Sequence, residues 1–174
     1  WHPLDRPGNE QDVIVIGGGP GGYIAAIRAS QLGFNVACID EWKNATGGPA
    51  LGGTCTNIGC IPSKALLQSS EHYDHAGHHF ADHGIEVKGL SLDVGKMLGR
   101  KDTVVKQNND GIVYLFKKNK VTFFHGRSSF VAASDGAYDI KVAAAAEEIV
   151  SGKHIIVATG SNARALPGAP FDEE

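Results

Sequence analysis

Residues 12–22, DVIVIGGGPGG, constrain the fold more tightly than any other stretch of the chain. Val13, Ile14, Val15 and Ile16 form a β-branched run with no polar residue inside it, as expected for a strand buried on both faces of a parallel sheet. The run passes directly into glycines. Gly17, Gly19 and Gly22 satisfy G-x-G-x-x-G, and the following YIAAIRASQLG has apolar residues at helical spacing, with Gly33 placed to end the helix. Each glycine meets a separate need: Gly17 the tight turn, Gly19 the approach of a pyrophosphate to the backbone, Gly22 the close packing of helix on strand. The free N–H groups and the positive end of the helix dipole then face the anion.

A second apolar run, residues 34–39, ends in Asp40. An acid here accepts hydrogen bonds from the ribose hydroxyls of an adenine dinucleotide. Strand, glycines, helix, strand and acid together predict an α/β, Rossmann-like fold with a dinucleotide site. No Lys-Ser or Lys-Thr follows the glycines, so this is not the phosphate loop of a nucleoside triphosphatase. Cys38, inside the second run, reads as a small buried hydrophobe.

Residues 52–67, GGTCTNIGCIPSKALL, hold Cys55 and Cys60. On an ideal helix, Cα atoms five residues apart are separated by about 8.7 Å, whereas a disulfide needs about 7 Å or less. The sulfurs can pair only if the backbone between them leaves ideal helix geometry, which Asn57 and Gly59 permit. A structural disulfide, two unpaired thiols, half of a metal site and a redox pair all fit the spacing. Zinc sites usually show two-to-four-residue spacings and a second ligand pair, which the remaining cysteine, Cys38, cannot supply.

A net charge of −3, with 16 basic against 19 acidic residues and no basic run, excludes a nucleic-acid binder. The longest apolar runs fall well short of a membrane span, and no export signal precedes the first strand. A soluble protein of a reducing compartment, the cytoplasm, is expected. There a cysteine pair is more often catalytic than structural. Residues 1–11, WHPLDRPGNEQ, read as a leader or remnant outside the fold. Asn44-Ala45-Thr46 matches a glycosylation pattern that is incidental without export.

Residues 64–84 read as a helix carrying His72, His75, His78, His79 and His83. Three of these recur every four residues, but no cysteine or carboxylate set converges with them, so no metal site is assigned. A further helix is expected to begin at Ser91-Leu92-Asp93, with Ser91 as its cap, and to run to residue 118. Residues 121–124, 129–131, 138–142 and 147–150 read as short strands of an antiparallel meander covering part of the sheet, with a turn at Asp135-Gly136. Residues 154–158 form the last strand.

A dinucleotide fold leading so soon into the paired cysteines resembles the FAD-binding part of the pyridine nucleotide-disulfide oxidoreductases. Ser63-Lys64-Ala65-Leu66-Leu67 after the second cysteine is most similar to the family's dihydrolipoamide-oxidising branch. The resemblance runs from residue 12 to about 170 and implies a domain over 12–166, with 167–174 starting a crossover towards an NAD-binding domain. It implies that the dinucleotide is FAD and that Cys55 and Cys60 form a redox disulfide. Cys55 is then the thiol that exchanges with substrate, Cys60 the thiol beside the flavin, and Lys64 a cation near the ring. Gly17, Gly19, Gly21, Gly22, Asp40, Gly53, Thr54, Gly126, Thr159, Gly160 and Ser161 become the other cofactor-binding positions. Two departures stand out: Asp40 occupies a place where glutamate is usual, and the loop EWKNATGGPAL is longer than the family's shortest versions.

The implied reaction is oxidation of dihydrolipoamide to lipoamide with NAD⁺ as final acceptor. The implied partners are dihydrolipoamide or the lipoyl domain of a 2-oxo acid dehydrogenase complex, and a second copy in a homodimer. The family's acid–base histidine-glutamate pair lies in a later domain, and none of the eight histidines here takes its place. These residues alone are therefore expected to be inactive. Mercuric or glutathione reductase-type enzymes, or a non-catalytic flavin-binding fragment, are the alternative readings.

Overall fold

The computed structural model describes residues 10–134, 136–144, 146–169 and 171. β1 (Glu10–Ile16) leads through the glycine turn into α1 (Pro20–Gln31) and returns as β2 (Val36–Asp40). The two strands are parallel, with Val13 opposite Val36 and Ile16 opposite Ile39. The chain then runs through α2 (Gly53–Asn57), α3 (Cys60–His78), a 3₁₀ turn at Phe80–His83 and α4 (Val94–Lys118). It re-enters the sheet as β3 (Thr122–His125), parallel to β2 on its outer side. β4 (Arg127–Ser134), β5 (Ala137–Ala143) and β6 (Glu147–Val157) complete a mixed sheet of order β3-β2-β1-β6-β5-β4.

Residue alternation divides the core in two. Val13, Val15, Val36 and Cys38 face the helices and pack with Ala26, Ile112, Phe116 and Val121. Ile14, Ile16, Ala37 and Ile39 face the other way, against Ile140, Val142 and Val150 of the antiparallel strands. This explains the uninterrupted β-branched run in β1: neither face meets water. Each fully buried Val or Ile contributes about 1.5–3 kcal/mol of transfer free energy, which fixes the register of the strand that delivers Gly17.

Several expectations need correction. Residues 121–124 do not belong to the meander, because α4 carries β3 back beside β2, where it pairs in parallel. The segments 147–150 and 154–158 are one strand. The first part of β6 is antiparallel to β5 and the last part parallel to β1, and both pairings include Ser151 and Gly152. Gly152, between the two expected segments, is closely packed: a Cβ there would lie 2.7 Å from the Ile14 side chain. Glu10 and Gln11 lie in β1 and pair with Ser151 and Gly152, so the fold starts inside the supposed leader. The cap of α4 is Asp93, whose Oδ1 accepts the Lys96 N–H at 3.0 Å; Ser91 is two residues too early. In the expected turn, Gly136 has φ +79°, while Asp135 lies outside the described residues, as does Pro170.

Among the described residues, no helix is long and apolar enough to cross a membrane.

Candidate functional site

The glycine turn is built by close backbone contacts. Gly17 has φ +108°, and a Cβ on it would lie 2.2 Å from the Ala158 carbonyl oxygen. A Cβ on Gly22 would lie 1.7 Å from the Gly17 oxygen, so helix and strand approach each other only because neither residue has a side chain. Gly19 is the N-cap of α1, with no side-chain cap, and Pro20 follows. A Cβ on Gly19 would meet only the Gly53 Cα, at 3.8 Å. Gly21, exposed, sits beside Ala158. The first turn of α1 thus presents backbone N–H groups with no side chain over them.

Asp40 is turned towards this loop. Its Oδ2 accepts the Gly18 N–H, and its Oδ1 accepts the Trp42 N–H at 2.6 Å. A carboxylate offers about four lone-pair sites, so acceptor capacity remains, but the group also holds the turn in place. The sequence reading missed Gly18, where a Cβ would come 2.7 Å from Leu51 Cδ2 and 2.9 Å from Asp40 Oδ2. The Gly126 N–H donates to the Asp40 carbonyl at 3.0 Å, and a Cβ there would meet the Ala143 oxygen at 2.6 Å. Thr159, Gly160 and Ser161 follow β6 as an exposed strip. Ala158 is tied to Ile16 by a 2.8 Å hydrogen bond, and a Cβ on Gly17 would lie 3.1 Å from the Thr159 Cα.

The cysteine stretch is seated on this turn. The Gly52 N–H donates to the Gly18 carbonyl at 2.8 Å, and Gly53, φ +58°, opens α2 directly against Gly19. Thr54 is exposed in the first turn of α2, next to half-buried Cys55. After Asn57 the helix breaks: the Ile58 and Gly59 N–H groups both donate to the Thr54 carbonyl, and Gly59 has φ −108°, ψ −106°. α3 then begins at exposed Cys60, with Pro62 buried and Lys64 exposed. The break brings the two thiols near each other. Both are free thiols. Hydrogen bonding with the Cys60 side chain, then desolvation and the charge of Cys60, raise the Cys55 pKa above the ordinary thiol range, while the Cys60 backbone opposes them. Cys38 is fully buried, its sulfur 3.7 Å from the Gly17 oxygen. Burial, helped by the charge of Asp40, pushes its pKa up to about 12.

Three further residues bear on this geometry. Asn57 Nδ2 donates to the Gly53 carbonyl at 2.9 Å, and Asn109 Nδ2 donates to the Leu51 carbonyl at 2.5 Å and to Asn57 Oδ1 at 3.1 Å. Arg100 Nη1 donates to the Ala65 carbonyl at 3.0 Å. Asn57 stood in the motif as a residue tolerant of unusual backbone. Asn109 and Arg100, on a distant helix, gave no sequence signal.

The sequence profile of the pyridine nucleotide-disulphide oxidoreductases matches residues 11–174. The chain belongs to this family. It is 53% identical over 165 residues to dihydrolipoyl dehydrogenase of Cupriavidus necator, covering 94% of this chain and 34% of that protein. It is 50% identical over 166 residues to the mitochondrial dihydrolipoyl dehydrogenase of Pisum sativum, covering 95% and 32%. It is 47% identical over 174 residues to leghemoglobin reductase of Glycine max, covering 100% and 32%. The chain spans about a third of the length of these relatives.

For an oxidoreductase of this family the cradle is suitably built. The open space over Gly19, the uncapped start of α1 and the acid at the end of β2 suit a dinucleotide. The five histidines gather elsewhere, at the far end of α3. His78 Nδ1 is 3.0 Å from Asp74, and the His75 and His79 rings are 5.2 Å apart. Among the described residues, no group of three or more His, Cys, Asp or Glu could hold a metal ion.

Proposed function

We propose that this chain is the FAD-binding portion of a dihydrolipoamide dehydrogenase, which oxidises dihydrolipoamide to lipoamide with NAD⁺ as final acceptor. One observation carries the reading: the helix break at Ile58-Gly59 brings Cys55 near Cys60 on a segment whose first residue, Gly53, touches the dinucleotide turn at Gly19.

In the oxidised state Cys55 and Cys60 share a disulfide. A substrate thiolate attacks Cys55 Sγ, and Cys60 leaves as a thiolate. The second substrate thiol then attacks the mixed disulfide and expels Cys55, so the substrate departs with its own S–S bond and two electrons stay on the cysteine pair. FAD, when bound, supplies the two-electron path from this pair to the nicotinamide. Gly17, Gly19, Gly21, Gly22, Gly53, Thr54, Gly126, Thr159, Gly160 and Ser161 would hold it, and Asp40 would accept from its ribose hydroxyls. Lys64 would supply a positive charge near the flavin. Each substrate thiol gives up its proton as it attacks, so the exchange needs a base. We assign that role to the histidine-glutamate pair of a later domain.

The domain is taken as 12–166, extended at its start by the pairing of Glu10 and Gln11, with NAD bound beyond it. The lipoyl domain of a 2-oxo acid dehydrogenase complex is the proposed partner, a homodimer the proposed assembly and the cytoplasm the proposed compartment. The pea relative's name places that protein in the mitochondrion.

The test is a comparison of two chains. Residues 1–174 should quench FAD fluorescence saturably yet reduce no NAD⁺ with dihydrolipoamide. The same residues within a chain of the relatives' length should do both, and Cys55→Ser or Cys60→Ser should abolish only the second. Full turnover by either serine variant would overturn the assignment.

A further inference from the structure

We propose that Asn109 and Arg100 of α4 are positioning residues that set how readily Cys55 and Cys60 form their disulfide. The proposal rests on reading those cysteines as a redox pair.

The break that brings the thiols together interrupts the helix ladder that would otherwise run from one to the other. In an unbroken helix, successive i→i−4 bonds would fix one cysteine relative to the other. Here α2 ends at Asn57 and α3 starts at Cys60, with Gly59 between them, so each helix needs an anchor of its own. Both anchors come from α4. Asn109 spends its two N–H bonds on the Leu51 carbonyl and on Asn57 Oδ1, and Asn57 passes the link on to the Gly53 carbonyl. The Leu51 carbonyl lies ahead of α2, where the Asn109 amide satisfies it, and the Asn57 amide adds a second donor to the Gly53 carbonyl. Cys55 lies between Gly53 and Asn57 and is held with them.

The Cys60 helix is held at its second turn. Arg100 Nη1 donates to the Ala65 carbonyl at 3.0 Å and lies 3.4 Å from Ser69 Oγ, and Nη2 donates to Gln68 Oε1 at 2.5 Å. α4 is itself fixed in its C-terminal half, where Ile112 and Phe116 pack into the core. The thiols are therefore positioned through α4 as well as through the four residues between them. Restricting two reacting groups to contact raises their effective concentration, and disulfide formation registers that directly.

The measured exchange is Cys55-SH plus Cys60-SH plus glutathione disulfide, giving the protein disulfide and two glutathione thiols. Two electrons and two protons pass from the protein to glutathione. In residues 1–174 equilibrated with glutathione buffers, Asn109→Ala and Arg100→Met should each lower the equilibrium constant for the protein disulfide about tenfold, a potential about 30 mV higher. Ile112→Val, on the same helix but in the core, should lower the Tm by a few degrees and leave the constant unchanged. A change of less than twofold in both α4 variants, a rise in either, or an equal fall in Ile112→Val would overturn the positioning role. If the wild-type chain formed no Cys55–Cys60 disulfide at any glutathione ratio, the redox reading itself would fall and the proposal with it.

Discussion

Gly53 opens the cysteine-bearing helix against Gly19, which opens the first helix: a Cβ on Gly53 would lie 2.8 Å from the Gly19 Cα. The contact joins the glycine turn to the cysteine segment, and it predicts different outcomes at neighbouring glycines. Ala at position 19 meets only ordinary van der Waals distance and keeps an extended backbone, φ −73°. Gly19→Ala should cost about 1 kcal/mol or less of stability while weakening FAD binding at least tenfold. Gly22→Ala forces a Cβ to 1.7 Å from the Gly17 oxygen and should cost about 3 kcal/mol or more. Urea unfolding of the apo-chain beside FAD fluorescence titration separates the two effects.

Gly52 should be equally intolerant, for a local reason. Its φ is +110°, and a Cβ would lie 2.4 Å from Thr56. Gly52→Ala should lose about 2–3 kcal/mol by urea unfolding, and Thr56→Ser in the same chain should recover only part of it.

Alkaline stability should report on Cys38. Its folded pKa, about 12, lies above the ordinary thiol value of 9.0. Between these values the unfolded thiol ionises and the folded one does not, so the unfolded state binds fewer protons and stability falls as pH rises. The slope should approach about 1.4 kcal/mol per pH unit between about pH 9 and 12. The stability is fully present below pH 9. Cys38→Ala should flatten this component of the Tm–pH curve between pH 8 and 11, whatever its effect at pH 7.

The hydrogen bond to Cys60 raises the Cys55 pKa, so Cys60→Ala should lower it. Iodoacetamide labelling of Cys55, followed by peptide mass against pH, should show its midpoint moving to lower pH in that variant. An unmoved midpoint would mean that the thiols do not share a proton.

Much of this was legible in local sequence. The β-branched run of β1, the spacing of Gly17, Gly19 and Gly22, the acid at residue 40 and the need for a break between Cys55 and Cys60 each follow from short-range geometry. What was missed depends on contacts between distant segments. Residues 147–150 and 154–158 look like two strands until Gly152, between them, is seen packed closely beside Ile14. Residues 121–124 look like any short strand, and only their arrival from α4 beside β2 makes them parallel. Asn109 and Arg100 are unremarkable polar residues on a long helix until their carbonyl partners at Leu51 and Ala65 are known. Ser91 and Asp93 both satisfy cap chemistry, and the final choice fell to the residue next to the first helical turn.

The most direct measurement is a disulfide map of residues 1–174 after equilibration in oxidising glutathione, by peptide mass without reduction. The account predicts a Cys55–Cys60 linked peptide with Cys38 still a free thiol, so that reactive thiols in the unfolded protein fall from three to one. Cys55 and Cys60 recovered unlinked, or either of them joined to Cys38, would contradict it.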